Sequence, residues 1–201
     1  MLLSDRDIKK RIKQKTLIIK PFNPKNLGPS SYDLHLGNRI RVFKPTMYPC
    51  IDVKSYKDEL QYRYKHKEKT VEHYIFSDVV ISDNPFILHP QEFILCATKE
   101  YIELPKDLAS QIMGRSSIGR IGVIVHATAG FIDPGFLGNL TLEVANLGRI
   151  SVKLYPGMKI AQLAFYELKS PCEVSYQERK SSKYIKEKGA TESRIIKDFE
   201  K

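Results

Sequence analysis

Apolar and polar positions alternate with a period of two along most of the chain. The runs "TLIIK", "YDLHLG", "RIRVFK", "PFILHP", "EFILCAT", "YIELP", "VIVHAT", "LTLEVAN", "SVKLYP" and "IAQLAFYEL" carry the pattern of half-buried or buried strands. Gly, Pro, Asn and Asp separate them at intervals of roughly ten residues, the spacing of a sandwich, jelly roll or distorted barrel rather than of alternating strand–helix units. One segment keeps the helical period instead. In "SDRDIKKRIKQK" (Ser4–Lys15) Ile8 and Ile12 lie one turn apart, Ser4 can cap, and Asp7 completes a capping box. The expectation is a mainly β chain with a short N-terminal helix.

Two stretches show neither period. Lys54–Glu72 is polar and rich in lysine and tyrosine, which predicts an inserted surface loop or hairpin arm. The segment from Tyr176, "YQERKSSKYIKEKGATESRIIKDFEK", is dense in charge and broken by Gly189, so composition alone predicts a mobile terminus. At 201 residues the whole, 1–201, reads as one domain with an ample core, about 44–83 being a variable surface insertion and 176–201 a tail.

Charge adds little to this picture. The formal net charge is +10, but the 33 basic residues are spread along the chain among 23 acidic ones, the pattern of a solvated surface. No nucleic-acid motif accompanies them, so no nucleic-acid partner is expected, while a phosphorylated small ligand needs only a few such charges. No apolar stretch nears the ~18 residues of a membrane span. The opening "MLLSDRDIKKRIKQK" is too charged for a signal-peptide core, and cytoplasmic residence is expected. Cys50, Cys96 and Cys172 are odd in number and far apart, which argues against a disulfide framework or a zinc-binding CxxC pair.

Candidate chemistry gathers in three places. "GRSSIGRIG" (Gly114–Gly122) sets backbone N–H groups, hydroxyls and two guanidinium forks in one loop, a combination that can wrap an anion. "DPG" (Asp133–Gly135) is a turn signal; Asp133 either bonds its own backbone or accepts from a ligand hydroxyl. In "NLTLEVAN", Leu140, Leu142 and Val144 share one strand face and Thr141 and Glu143 the other. That second face meets either solvent or a pocket, where a partly desolvated Glu143 could pass protons. The five histidines form no HxxxH or HxH pair, and no GxSxG elbow, P-loop or GxGxxG is present. Ser116, His126 and Asp133 could be assembled into a triad, as such trios can in most chains of this length.

The order of the pieces is more specific than any one of them. "SSYDLHLG", "GRSSIGR", "TAGFIDPGFLGNLTLEV" and "GMKIAQLAFYEL", with "LLSDRDIKKRI" near the start and "SKYIKEKGATESRI" near the end, resemble successive motifs of the dCTP deaminase family of the dUTPase superfamily. The resemblance covers nearly the whole chain outside residues 44–83. It implies a distorted β-barrel, or jelly roll of the dUTPase type, with an N-terminal helix and a C-terminal tail that closes over nucleotide. It also implies a homotrimer with sites between subunits.

The resemblance assigns nucleotide contacts to Arg115, Ser116, Ser117, Ile118, Gly119 and Arg120, with the triphosphate in that loop. Asp133 falls near the deoxyribose, Thr141, Leu142 and Glu143 beside the base, and Gln162, Tyr176, Lys183 and Glu187 at further contacts. Glu143 is the implied catalytic acid and base, with Ser116 and a carbonyl near Ala129 placing water and Arg120 steadying developing charge. Zinc-dependent cytidine deaminases pair HxE with PCxxC; that paired signature is absent, so the expected reaction is zinc-independent. Mg²⁺ is expected on the triphosphate.

The principal expectation is deamination of dCTP to dUTP and ammonia, feeding dUMP and dTTP synthesis, with dTTP as an inhibitor and His126 as the candidate switch. The alternatives are a bifunctional enzyme that continues to dUMP and pyrophosphate, and a non-catalytic nucleotide-binding regulator. Gly130 and Phe131 stand where some single-activity deaminases carry larger polar residues, and similar versions occur in bifunctional relatives. Glu187 replaces a glutamine of many relatives, and a carboxylate there is expected to repel phosphate.

Overall fold

The computed structural model describes residues 1–45, 50–51, 53–54, 71–73 and 76–199. The N-terminal helix α1 spans Asp5–Lys13. Its capping box is complete: the Asp7 N–H donates to Ser4 Oγ at 3.3 Å and the Ser4 N–H to Asp7 Oδ2 at 3.2 Å. Ile8 is buried and Ile12 packs against the same core, so the i, i+4 pair faces inward as its spacing requires.

Twelve described strands follow: β1 (Ile18–Lys20), β2 (Tyr32–Phe43), β3 (Val71–His73), β4 (Ser77–Ile81), β5 (Phe86–Leu88), β6 (Phe93–Glu103), β7 (Leu108–Gly114), β8 (Val123–Ile124), β9 (Phe131–Ile132), β10 (Leu137–Asn146), β11 (Val152–Leu154) and β12 (Lys159–Glu167). A four-residue helix, α2 (Ser116–Gly119), sits between β7 and β8, and a 3-10 turn (Ile195–Asp198) lies near the end. Ten strands form one curled sheet in the order β8-β10-β6-β2-β12-β7-β9, with β1 on β6 and the β3–β4 pair on β2; β5 and β11 form a separate pair. The result is a mostly β, curled half-barrel sheet.

Two pairs of sequence runs fuse in the structure. "YDLHLG" and "RIRVFK" belong to the single strand β2, and "EFILCAT" and "YIELP" to β6. Gly37 does not end β2. A Cβ there would meet the Ala97 carbonyl oxygen at 2.9 Å, so glycine permits close approach of β6 where the register shifts between Leu36 and Ile40. Strands β3 and β4 fall inside 44–83 and join the sheet, while most of the Lys54–Glu72 arm lies outside the described residues. No helix among the described residues is long and apolar enough to cross a membrane.

Strand β10 pairs with β6, Thr141 opposite Ala97, Leu142 opposite Cys96 and Glu143 opposite Leu95. Leu140, Leu142 and Val144 are buried in the core while Thr141 and Glu143 are half-buried on the other face. The alternation of apolar and polar residues thus fixes which side chains the barrel keeps and which it offers to a ligand.

The tail crosses that offered face and is folded along its described length. The Tyr176 N–H donates to the Pro134 carbonyl at 2.8 Å, the Lys186 N–H to the Leu137 carbonyl at 3.0 Å, and the Asn139 N–H to the Glu187 carbonyl at 2.9 Å. Farther on, Arg41 of β2, fully buried, donates through Nε to the Ala190 carbonyl at 2.9 Å and pairs with Glu192 at 2.5 Å. The mobile terminus expected from composition is instead a strap held by hydrogen bonds and ion pairs.

Candidate active site

A cavity of about 690 Å³ opens between β10, the turn before it, and the tail. Thr141 and Glu143 line it from β10, Ile132 from β9, Asp133 from the turn that follows, and Tyr176, Tyr184 and Glu187 from the tail. The strand positions Glu143 and a neighbouring loop holds it. The Ala127 and Thr128 N–H groups both donate to Glu143 Oε2 at 3.3 Å, leaving Oε1 for a ligand. A carboxylate held this way on a partly enclosed wall can take a proton from water and return it to a nearby base nitrogen.

Asp133 is exposed at the cavity edge, in the turn whose Gly135 has φ +81°. The Phe136 N–H donates to its carbonyl at 3.2 Å, which leaves the carboxylate to the cavity. Tyr176 stacks at a tilt on Phe136, with ring centroids 6.0 Å apart, and its hydroxyl accepts from the Tyr184 N–H at 3.1 Å. His126 also lines the cavity, and neither ring nitrogen finds a partner among the described residues.

The loop "GRSSIGR" is elsewhere. None of its residues lines the cavity that holds Glu143. Arg115 follows β7, Ser116–Gly119 form α2, and the Arg120 Nε donates to Ser116 Oγ at 3.1 Å. Asp33 of β2 takes Arg115 Nε at 3.3 Å and Lys159 Nζ at 2.9 Å, so one carboxylate orients two cations at the loop's base. Gln162 belongs to this group: it sits opposite Asp33 and Met113 in the sheet and accepts from Ser31 Oγ at 3.4 Å. The side chains of Ile118 and Leu142 are buried in the core, so a ligand would meet only their backbone.

The sequence-derived residues therefore fall into two groups. Asp133, Thr141, Glu143, Tyr176 and Glu187 share the cavity; Arg115, Ser116, Ser117, Gly119, Arg120 and Gln162 gather at a separate loop. Lys183 belongs to neither, its Nζ bound to Asp198 at 2.5 Å. Asp33 was not singled out as a site residue, although it lies inside the quoted "SSYDLHLG". Arg41 and Arg194, which hold the tail, had no signal beyond charge. Among the described residues no group of three or more His, Cys, Asp or Glu side chains could hold a metal ion.

Comparison with known proteins shows the family. Residues 2–168 match the family described as dCTP deaminase-like. A "dCTP deaminase, dUMP-forming" of Nanoarchaeum equitans is 49% identical over 199 residues, 99% of this chain and 100% of the relative. One of the same name from Dictyoglomus thermophilum is 44% identical over 201 residues, 99% of this chain and 97% of the relative. A crystal structure of 2'-deoxycytidine 5'-triphosphate deaminase from Agrobacterium tumefaciens superposes with a TM-score of 0.58 at 20% identity, over 82% of this chain. The chain spans about half, 48%, of that solved chain, and at this identity the likeness speaks for the fold alone.

Proposed function

The chain belongs to the dCTP deaminase-like family, and on that premise we propose that it is a bifunctional enzyme converting dCTP to dUMP, ammonia and pyrophosphate. The observation that carries this reading is whole-length identity of 49% to a relative named as dUMP-forming. It favours the bifunctional alternative over the principal expectation from sequence, in which the product is released as dUTP.

The deamination adds water at C4 of cytosine, protonates N3 and expels ammonia. Glu143 takes the water's proton, delivers it to N3, and completes the transfer to the leaving nitrogen; its two backbone donors fix one oxygen while the other cycles. The second reaction adds a water across the α–β phosphoanhydride of dUTP, releasing dUMP and pyrophosphate. Asp133 accepts the sugar 3′-hydroxyl, Thr141 packs beside the base, and Arg115, Ser117 and Lys183 grip the triphosphate, with Arg120 and Ser116 reaching the reacting end. Mg²⁺ held by the triphosphate oxygens would offset their charge at the reacting phosphates.

The separation of the cavity from the loop supports a trimer. One chain supplies the carboxylate wall and its strap, and a neighbouring copy supplies the cationic loop. For Lys183 to reach phosphate it exchanges Asp198 for the ligand's oxygens.

Incubating the protein with dCTP and Mg²⁺ and resolving dCTP, dUTP, dUMP, ammonia and pyrophosphate over time tests the reading. Expected are equal yields of ammonia and pyrophosphate with little free dUTP. Accumulation of dUTP without pyrophosphate would return the assignment to a single-activity deaminase, and no turnover would refute both.

A further inference from the structure

The cavity wall carries three carboxylates, Asp133, Glu143 and Glu187, and its described lining includes no lysine or arginine. A polyanionic ligand at such a wall meets repulsion unless a charge is cancelled nearby. Glu187 is the one that is cancelled. Arg194 pairs with its Oε1 through Nη2, and Thr191 Oγ1 donates to Oε2 at 3.0 Å.

Glu187 cannot simply turn away. Its carbonyl accepts from the Asn139 N–H at 2.9 Å, its backbone bridges Gly138, and its side chain is 18% exposed. Arg194 is held as firmly. Its backbone N–H donates to the Tyr184 hydroxyl at 2.9 Å, Nη1 donates to the Lys183 carbonyl, and its guanidinium lies 5.7 Å from the Tyr184 ring centroid. One guanidinium therefore cancels one of the wall's three carboxylates and also bonds the turn that carries Lys183.

We infer that Arg194 is a positioning residue for the nucleotide's polyphosphate: it cancels the Glu187 charge inside the cavity, next to the strap from which Lys183 reaches phosphate. This rests on the nucleotide reading above. It also removes the expectation that a carboxylate at position 187 repels phosphate, because that carboxylate is already paired.

The test uses four full-length proteins: wild type, Arg194→Gln, Glu187→Gln and the double variant. Losing Arg194 leaves a partly buried, uncompensated carboxylate, so the KM for dCTP should rise by roughly tenfold or more with kcat within a few-fold. Glu187→Gln alone removes the very charge that Arg194 cancels, so its KM should stay well below that of Arg194→Gln, a glutamine oxygen still accepting from Thr191. The double variant should return KM to within about threefold of wild type, because the repelling charge is gone. A double variant no better than Arg194→Gln would overturn the inference and leave Arg194 a plain structural tie.

A second readout, limited trypsin cleavage of the tail without nucleotide, separates this inference from the functional reading. There the same order is expected, with Arg194→Gln cut fastest and the double variant protected. If wild type fails to turn over dCTP but this rescue holds, the functional reading falls and the pairing stands. If the rescue fails too, both fall.

Discussion

Strand β10 and the tail face each other across one cavity, yet they are built by different physics. The strand holds its shape through the ladder to β6 and buries Leu140, Leu142 and Val144, so Glu143 is aimed by backbone geometry. Among its described residues the tail has no ladder beyond one bridge at Glu187 and no buried apolar stripe; its position comes from individual hydrogen bonds and from arginines on carboxylates. A catalytic group that must not drift belongs on the first kind of element, and a cover that must admit substrate belongs on the second.

The comparison breaks most sharply at Glu143. Glu143→Gln keeps the side chain's size and its bonds from Ala127 and Thr128, and removes the proton carrier. Ammonia release should fall by about 10²–10⁴-fold, while dCTP affinity and the folded state persist. Ammonia assays and dCTP titration on one preparation check this; activity within a few-fold of wild type would take the proton transfers away from Glu143.

A gentler change should loosen the tail alone. Gly189 has φ +77°, and a Cβ there would lie 2.6 Å from the Ala97 Cβ and 2.9 Å from its Cα. Gly189→Ala combines a left-handed strain of ~1–2 kcal/mol with a clash against the sheet. The ratio of docked to undocked tail should drop by roughly 5- to 30-fold, raising the KM for dCTP and speeding tryptic cleavage after residue 176. The thermal midpoint of the barrel should move little, because α1 and the strands keep their contacts. A large fall in that midpoint would show the tail to be part of the core instead of a cover.

The same contrast explains what could be read from sequence. Period-two alternation found β10 and assigned Thr141 and Glu143 to the face opposite the core, leaving solvent or pocket open, because strand geometry and burial are both written in that spacing. The helix boundaries were legible to within two residues from Ser4, Asp7 and the isoleucine pair. The tail was not, since Arg41 on Ala190 and Glu192, or Arg194 on Glu187, join residues distant in sequence or inside a segment without periodicity. Its place was legible only through family resemblance. Gly37 misled for a related reason: its role is to admit β6, a tertiary demand that local turn chemistry cannot reveal.

The smallest expected effect lies at the hinge where the tail leaves the barrel. Glu178 accepts from Lys106 Nζ at 2.8 Å and from the Ser175 N–H and hydroxyl, each at 2.9 Å. The bond from Lys106, then the two from Ser175, lower its pKa from 4.5 to about 2. A carboxylate held below its unfolded value stabilises the folded hinge above pH ~4.5 and loses that contribution as pH falls toward about 2. Both partners are well exposed, so solvent and salt screen the pair and the loss should be slight. Hydrogen exchange at the Ser175 amide, corrected for the intrinsic pH dependence of exchange, should show protection constant from pH 7 to 5 and declining below about 4. Glu178→Gln should show lower protection throughout and no such decline, since it has nothing to protonate. The amides of β10 in its ladder with β6 between Thr141 and Ala145 should hold their protection over the same range in both proteins, because that ladder does not titrate. If β10 lost protection in step with Ser175, the tail and the wall would be one cooperative unit, and the division between a fixed catalytic strand and a separately held cover would be wrong.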